Sequence, residues 1–264
     1  MGVFQHVAWG YELTYPDDWI HATLGEVEGF AAIPEALTPD YDGKLSGQVL
    51  VRAEFNGLGQ PIEPIWTRHI GMLAGWLGAK DVGSSAWRIG QAVGVEAEIV
   101  LPKKDDRRLW SGILTRRLTI LHFIVLHLKE EYEIYQQEAS KIIASLRFPQ
   151  EVAGVLTSAE GLPLPPGFEP IPPQDILDDI QEPARWRAFD GVESIGALQA
   201  FFLREAVNYG WTIADFGAYP DPTGPGFARF VLAKKDERIS LGLLPYRSEE
   251  RGIAQPARIV YKLG

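Results

Sequence analysis

The chain has no cysteine, and only two methionines and five histidines among its 264 residues. Without thiols it has no disulfide staples, no thiolate metal site and no cysteine nucleophile, so any core must hold by packing alone. Long apolar runs are missing as well. The most apolar stretch, LTILHFIVLHL (118–128), is too short to span a bilayer and carries two histidines. The N-terminus MGVFQHVAWGYEL has no basic region leading into an apolar run, and His6 stands where a myristoylation pattern needs Ser or Thr. The expectation is a soluble, cytoplasmic protein with no membrane insertion. The alternative is an exported one whose signal lies outside this sequence.

Positive charge is also in deficit. The formal net charge is −10, with 14 basic against 19 acidic residues in 1–150 and 11 against 16 in the remainder. Displacing counterions from phosphates needs a basic surface, so nucleic acid is excluded as a general partner, and anionic membranes are disfavoured on the same ground. No Gly-Lys-Ser or Gly-Lys-Thr completes a P-loop, and neither G-x-S-x-G nor H-E-x-x-H occurs.

What is present is ordinary globular composition, 46% hydrophobic and 23% charged, at a length that predicts two domains. YELTY (11–15) alternates as a strand until Pro16, after which PDDW reads as a turn whose Asp side chains bond nearby amides. GFAAIP and GQVLVRAEF follow as strands. Ile65, Trp66, His69, Ile70, Leu73, Trp76 and Leu77 then fall on one helical stripe, with Pro64 in the first turn and Gly78 as the stop. Period two returns in AWRIGQAV, GVEAEIVLP, RRLWSGILTRRL and LTILHFIVLH, with KKDD (103–106) as a hairpin tip. The last of these strands is apolar on both faces, as a covered central strand would be. Leu128, Tyr132, Tyr135, Ala139, Ile142 and Leu146 mark an amphipathic helix on the sheet.

Beyond Pro149 the composition changes. LPLPPGFEPIPP (162–173) is half proline and reads as a stiff, extended spacer rather than a core element. The predicted fold class is therefore α+β, with a first domain over 1–149, a proline-rich linker over 150–174 and a small α+β domain over 175–264. In this smaller domain a single main helix, capped by Ser194 and stopped at Gly210, packs on antiparallel strands near 184–189, 211–216, 227–233, 238–244 and 257–262. YPDPTGPG (219–226) is a loop.

GYELTYPDDW at the opening, a mid-domain helix, four successive strands and a closing helix running into IIASLRF resemble the PsbP-like superfamily, which includes Mog-type proteins, over about residues 3–149. The resemblance implies an α/β/α sandwich around a central antiparallel sheet and an accessory or binding role without catalysis. It assigns no functional residue. The second half resembles small bacterial domains that begin LPLPPG, to which no activity attaches.

Four constellations invite chemistry. Asp17, Asp18 and His21 could pair for proton transfer, but turn chemistry with Trp19 plugging the core edge accounts for them. His122 and His127 stand five apart in one strand and so point to opposite faces, which prevents a shared ion and makes each a satisfied buried or edge histidine, as His69 is on its helix. Glu96 and Glu98 share a face and could hold a hard cation, yet without a third ligand they read as a solvated sheet face. Trp186 and Trp211 are expected to fill the second core. No catalytic, metal or cofactor residue is assigned. Lys103, Lys104, Arg107, Arg108, Arg116 and Arg117 are the sole basic departure. They split into two clusters at opposite ends of a hairpin, ~25 Å apart, where an anionic partner could dock. The expected function is a non-catalytic adaptor or accessory protein whose two domains present a surface to another protein. The alternatives are a small-ligand-binding protein or hydrolase with a cleft between the domains, and a homo-oligomeric structural subunit.

Overall fold

The computed structural model describes residues 1–38, 47–80, 83–102, 107–247 and 255–264, and the side chains of Trp76, Arg107 and Tyr132 fall outside that description. These residues form two compact units, one of Met1–Gln5 with Tyr11–Phe148, the other of His6–Gly10 with Pro149–Gly264. The chain is α+β, mostly antiparallel sheet, with three α-helices among the described residues.

In the first unit, β1 (Gly2–His6) and β2 (Tyr11–Tyr15) pair as a small sheet of their own. The main sheet comprises β3 (Ile20–Leu24), β4 (Val27–Ala31), β5 (Gln48–Phe55), β6 (Ser85–Ile89), β7 (Ala92–Ile99), β8 (Arg107–Arg116) and β9 (Thr119–Leu128). Their order is β3-β4-β5-β9-β8-β7-β6, and every pairing is antiparallel. β9 is central and buried along most of its length, as its two-sided apolarity requires.

Helix α1 (Ile62–Leu77) lies between β5 and β6 in sequence and ends at Gly78, whose φ of 69° is a conformation that costs glycine little. Its buried stripe of Ile65, Ile70, Leu73 and Leu77 packs on Ile99, Leu109, Ile113, Ile120 and Leu126 from one face of the sheet. Helix α2 (Tyr132–Ala144) takes the other face, burying Ala139, Ile142 and Ile143. AWRIGQAV is not one strand. It folds back at Gly90, φ 56°, so that Ile89 pairs with Ala92 and the run supplies the end of β6 and the start of β7.

The second unit carries short β10 (Leu156–Thr157) and β11 (Pro163–Leu164), then β12 (Glu169–Ile171), β13 (Trp186–Asp190), helix α3 (Ile195–Asn208), β14 (Thr212–Gly217), β15 (Ala228–Lys234), β16 (Glu237–Pro245) and β17 (Ala257–Leu263). Its sheet runs β12-β13-β17-β16-β15-β14, all antiparallel. The Ser194 hydroxyl accepts from the Ala197 amide at 3.2 Å, capping α3, and Gly210 with φ 81° follows its end. Phe201, Phe202, Trp211, Phe230 and Tyr261 fill the core.

The run expected to be a spacer contributes to that same core. Leu162, Leu164 and Phe168 are buried in it, the Trp211 indole donates to the Gly161 carbonyl at 3.0 Å, and β12 pairs with β13. Proline here occupies short or edge strands, where its missing amide costs no ladder bond, while Leu162 and Leu164 two residues apart point the same way. Trp186 also departs from expectation. It is half-buried, with Lys262 lying 5.6 Å from its ring centre, and does not belong to the core cluster. No helix among the described residues is long and apolar enough to cross a membrane.

Candidate functional site

Strand register on the α2 side of the first unit sets residues of distant sequence side by side. Glu98 lies opposite Trp110, which lies opposite Val125; one row along, Glu96, Gly112 and Phe123 align; and Arg108 faces His127. Directly paired residues project to the same face, so these side chains form one surface. From β6, Trp87 lies over Gly112, where a methyl carbon would stand 2.7 Å from its ring. The Trp87 ring meets Trp110 edge to face, with centroids 5.2 Å apart at 89°, and Phe123 at 5.5 Å and 83°.

Helix α2 roofs this surface with Gln136, Ala139, Ser140 and Ile143, at spacings that keep them on one helix face, and a cavity of about 340 Å³ remains beneath it. The Trp110 indole donates to Glu96 Oε2 at 3.2 Å, which fixes that wall. At the rim Arg108 and Glu98 approach to 3.9 Å, with side chains 49% and 65% exposed. His127 lines the cleft and is buried, and loss of water contact pushes its pKa down to about 4, so the imidazole is neutral at pH 7.

On the opposite face, under α1, sits a second polar group. His69 Nε2 is 2.6 Å from Ser111 Oγ, Ser111 donates to the Phe123 carbonyl at 2.7 Å, and His69 Nδ1 is 3.2 Å from His122 Nδ1. Because Ser111 spends its proton on the carbonyl, it accepts from His69 Nε2–H, which leaves His69 Nδ1 to accept from His122. Glu54 Oε2 stands 3.2 Å from His122 Nε2, at ion-pair distance but outside hydrogen-bond geometry. Contact with His122 first, then Arg68 and Arg52, hold the Glu54 carboxyl below its ordinary value against the burial that raises it. Burial, followed by the charges of His122 and Arg52, presses His69 to about 3. Ser111 is fully buried with its hydroxyl engaged, so this arrangement organises the interior and exposes no nucleophile.

The remaining residues singled out in the sequence are dispersed. Asp17 pairs with the N-terminal amine, while His21 Nε2 lies 2.7 Å from Glu28 Oε2, so Asp17, Asp18 and His21 do not gather; Trp19 is buried beside Tyr135. His122 and His127 do face opposite ways. Of the basic set, Lys103 and Lys104 lie outside the described residues and Arg107 is described only in its backbone. Arg108 reaches the cleft, Arg116 stacks on Phe148 at 4.5 Å, and Arg117 turns the β8–β9 hairpin with φ 54°. In the second unit, Gln199 holds both the amide and the carbonyl of Tyr219, and Asp221 accepts from the Thr223 amide and hydroxyl, which ties the 219–226 loop to itself and to α3. Sequence reasoning missed Trp87, Trp110 and His127 as neighbours. The signal lay in hairpin register, which no local spacing reveals.

No protein-family model and no curated protein sequence matches the chain. Among solved structures it is similar to cyanobacterial PsbP (CyanoP) from Synechocystis, with 14% identity and TM-score 0.42 over 56% of this chain and 92% of that one. It is similar to a protein from Bacteroides thetaiotaomicron with 12% identity and TM-score 0.39 over 92% and 86% of the two chains. A third similarity is to LpqN, involved in cell envelope biogenesis of Mycobacterium tuberculosis, with 16% identity and TM-score 0.35 over 53% and 83%. These similarities are low.

Proposed function

We propose that the protein is a non-catalytic accessory protein that binds a ligand in the cleft between α2 and the β6–β9 portion of the sheet. The observation that carries this is a concave space of about 340 Å³, walled by two perpendicular tryptophans and rimmed by a few charged and amide side chains. Ligand sites are typically of this kind, apolar cavities of a few hundred Å³ with sparse polar groups that set orientation. The imidazole of His127 lines the cleft in the neutral form, without a charge to solvate. The PsbP-like resemblance of residues 3–149 belongs to the same reading, since it too implies binding without turnover. So does Arg108, which lines the cleft and would meet an anionic group of a partner protein.

A fragment screen by saturation-transfer NMR tests the site. Aromatic fragments should bind the wild type and lose binding in Ala139→Phe, which fills the roof of the cleft. Hits that bind both proteins equally would remove the cleft as the ligand site.

A further inference from the structure

We propose that the cleft takes a small aromatic zwitterion, a ring bearing an ammonium and a carboxylate on one short arm, as a free aromatic α-amino acid does. This rests on the cleft being a ligand site and adds the chemistry of its occupant.

The inner and outer regions of the cleft make different demands. Inside, Trp87 and Trp110 meet at 89° and form a corner, with Val125 below and Ile143 above. A third ring set into such a corner stacks on one indole and presents its edge to the other, both favourable geometries for aromatic pairs. Burial drives the His127 imidazole to its neutral form, and a ligand's charged group set against it would meet the same penalty. Charges on the ligand therefore belong at the mouth.

Of the charged residues that line the cleft, Arg88 follows Trp87 in β6 and so projects from the opposite face, and Glu96 is engaged by the Trp110 indole, so the mouth presents one charge of each sign. Glu98 on β7 and Arg108 on β8 are neighbours at 3.9 Å, each about half exposed. A ligand with only a cation would gain Glu98 and be repelled by Arg108, and one with only an anion would meet the reverse. An ammonium and a carboxylate separated by a single carbon span this pair with signs matched, each charge gaining its opposite. Glu96 is held by the Trp110 indole at 3.2 Å and so serves the wall, while Gln136 and Ser140 on α2 add hydrogen-bonding groups overhead.

The test is isothermal titration of the 264-residue protein with L-tryptophan, tryptamine, indole-3-propionate and indole, which share the ring and carry both charged groups, the ammonium alone, the carboxylate alone and no side arm. L-tryptophan should bind most tightly, with each singly charged analogue about 1.5-fold to fivefold weaker, the range expected for partly exposed ion pairs. Glu98→Gln should close the gap between L-tryptophan and indole-3-propionate, and Arg108→Gln the gap between L-tryptophan and tryptamine. Both residues are exposed at the surface, so the variants fold. Equal affinity for all four compounds would overturn the zwitterion while leaving the ligand site standing. No binding of any of them also overturns it. Whether the site itself then survives is read from a naphthalene sulfonate dye: dye binding abolished by Ala139→Phe retains the cleft, and dye binding unaffected by it removes the cleft as well.

Discussion

Ser111 carries more than its size suggests. Its hydroxyl accepts from His69 and donates to the Phe123 carbonyl in a buried site, so Ser111→Ala leaves the His69 Nε2–H without its acceptor and takes a donor from a carbonyl of the sheet. A loss of roughly 1–3 kcal/mol is expected, measured by urea unfolding at pH 7; an unchanged midpoint would show that the network contributes nothing. His69 and His127 add a pH dependence. Both have folded-state values well below the 6.5 of a free imidazole, about 3 and about 4, because burial disfavours the charged form. The unfolded chain therefore binds more protons than the folded one as pH falls below about 6.5. Stability is full above that value and declines toward the folded-state values, by up to about 2 kcal/mol for each histidine between pH 7 and pH 5. Urea midpoints at the two pH values check this, and equal midpoints would contradict it. The opposite orientation of His122 and His127 follows from an odd spacing in a strand and is legible in the sequence. The meeting of His69 with Ser111 is not, because 42 residues and a helix-to-sheet packing step separate them.

At the level of elements, local signals are legible and non-local ones are not. Gly78, Ser194 and Gly210 end or begin helices through their own backbone or hydroxyl, so neighbouring residues suffice to place them. β1 and β3 carry no such mark, because their short, mixed sequences gain strand character only from what they pair with or pack on. The cleft depends on a glycine that has no pattern of its own. A Cβ on Gly112 would stand 2.7 Å from the Trp87 ring and 3.0 Å from that of Trp110, so Gly112→Ala forces the indoles off the sheet. The expected result is a changed near-ultraviolet circular dichroism spectrum and weaker binding of aromatic fragments, at a stability cost of only about 1 kcal/mol because flexible side-chain ends can give way. A spectrum identical to wild type would show that the tryptophans do not sit on that glycine.

For the whole molecule, charge and stability fail together in mild acid. The sequence isoelectric point is near 5.0, so the net charge of −10 that keeps molecules apart at pH 7 has vanished just where the buried histidines have lost much of their contribution. Light scattering should rise steeply between pH 6 and pH 5, and a flat trace across that interval would contradict the argument. The α+β class and the antiparallel sheets are readable from period-two runs broken by helical stripes. The role of residues 155–171 is not, because proline content suggests stiffness but does not tell whether the leucines between the prolines meet a core.

That last stretch has a practical consequence. A protease nick or an engineered cut just after Phe148 keeps Leu162, Leu164 and Phe168 with the second unit and parts it only from His6–Gly10, whereas one at residue 175 also removes those three together with the carbonyl that receives the Trp211 indole. A shortened piece starting there would keep five of the six strands of its sheet and helix α3 yet leave a greasy trough on its flank, and it would clump where the longer piece stays in solution.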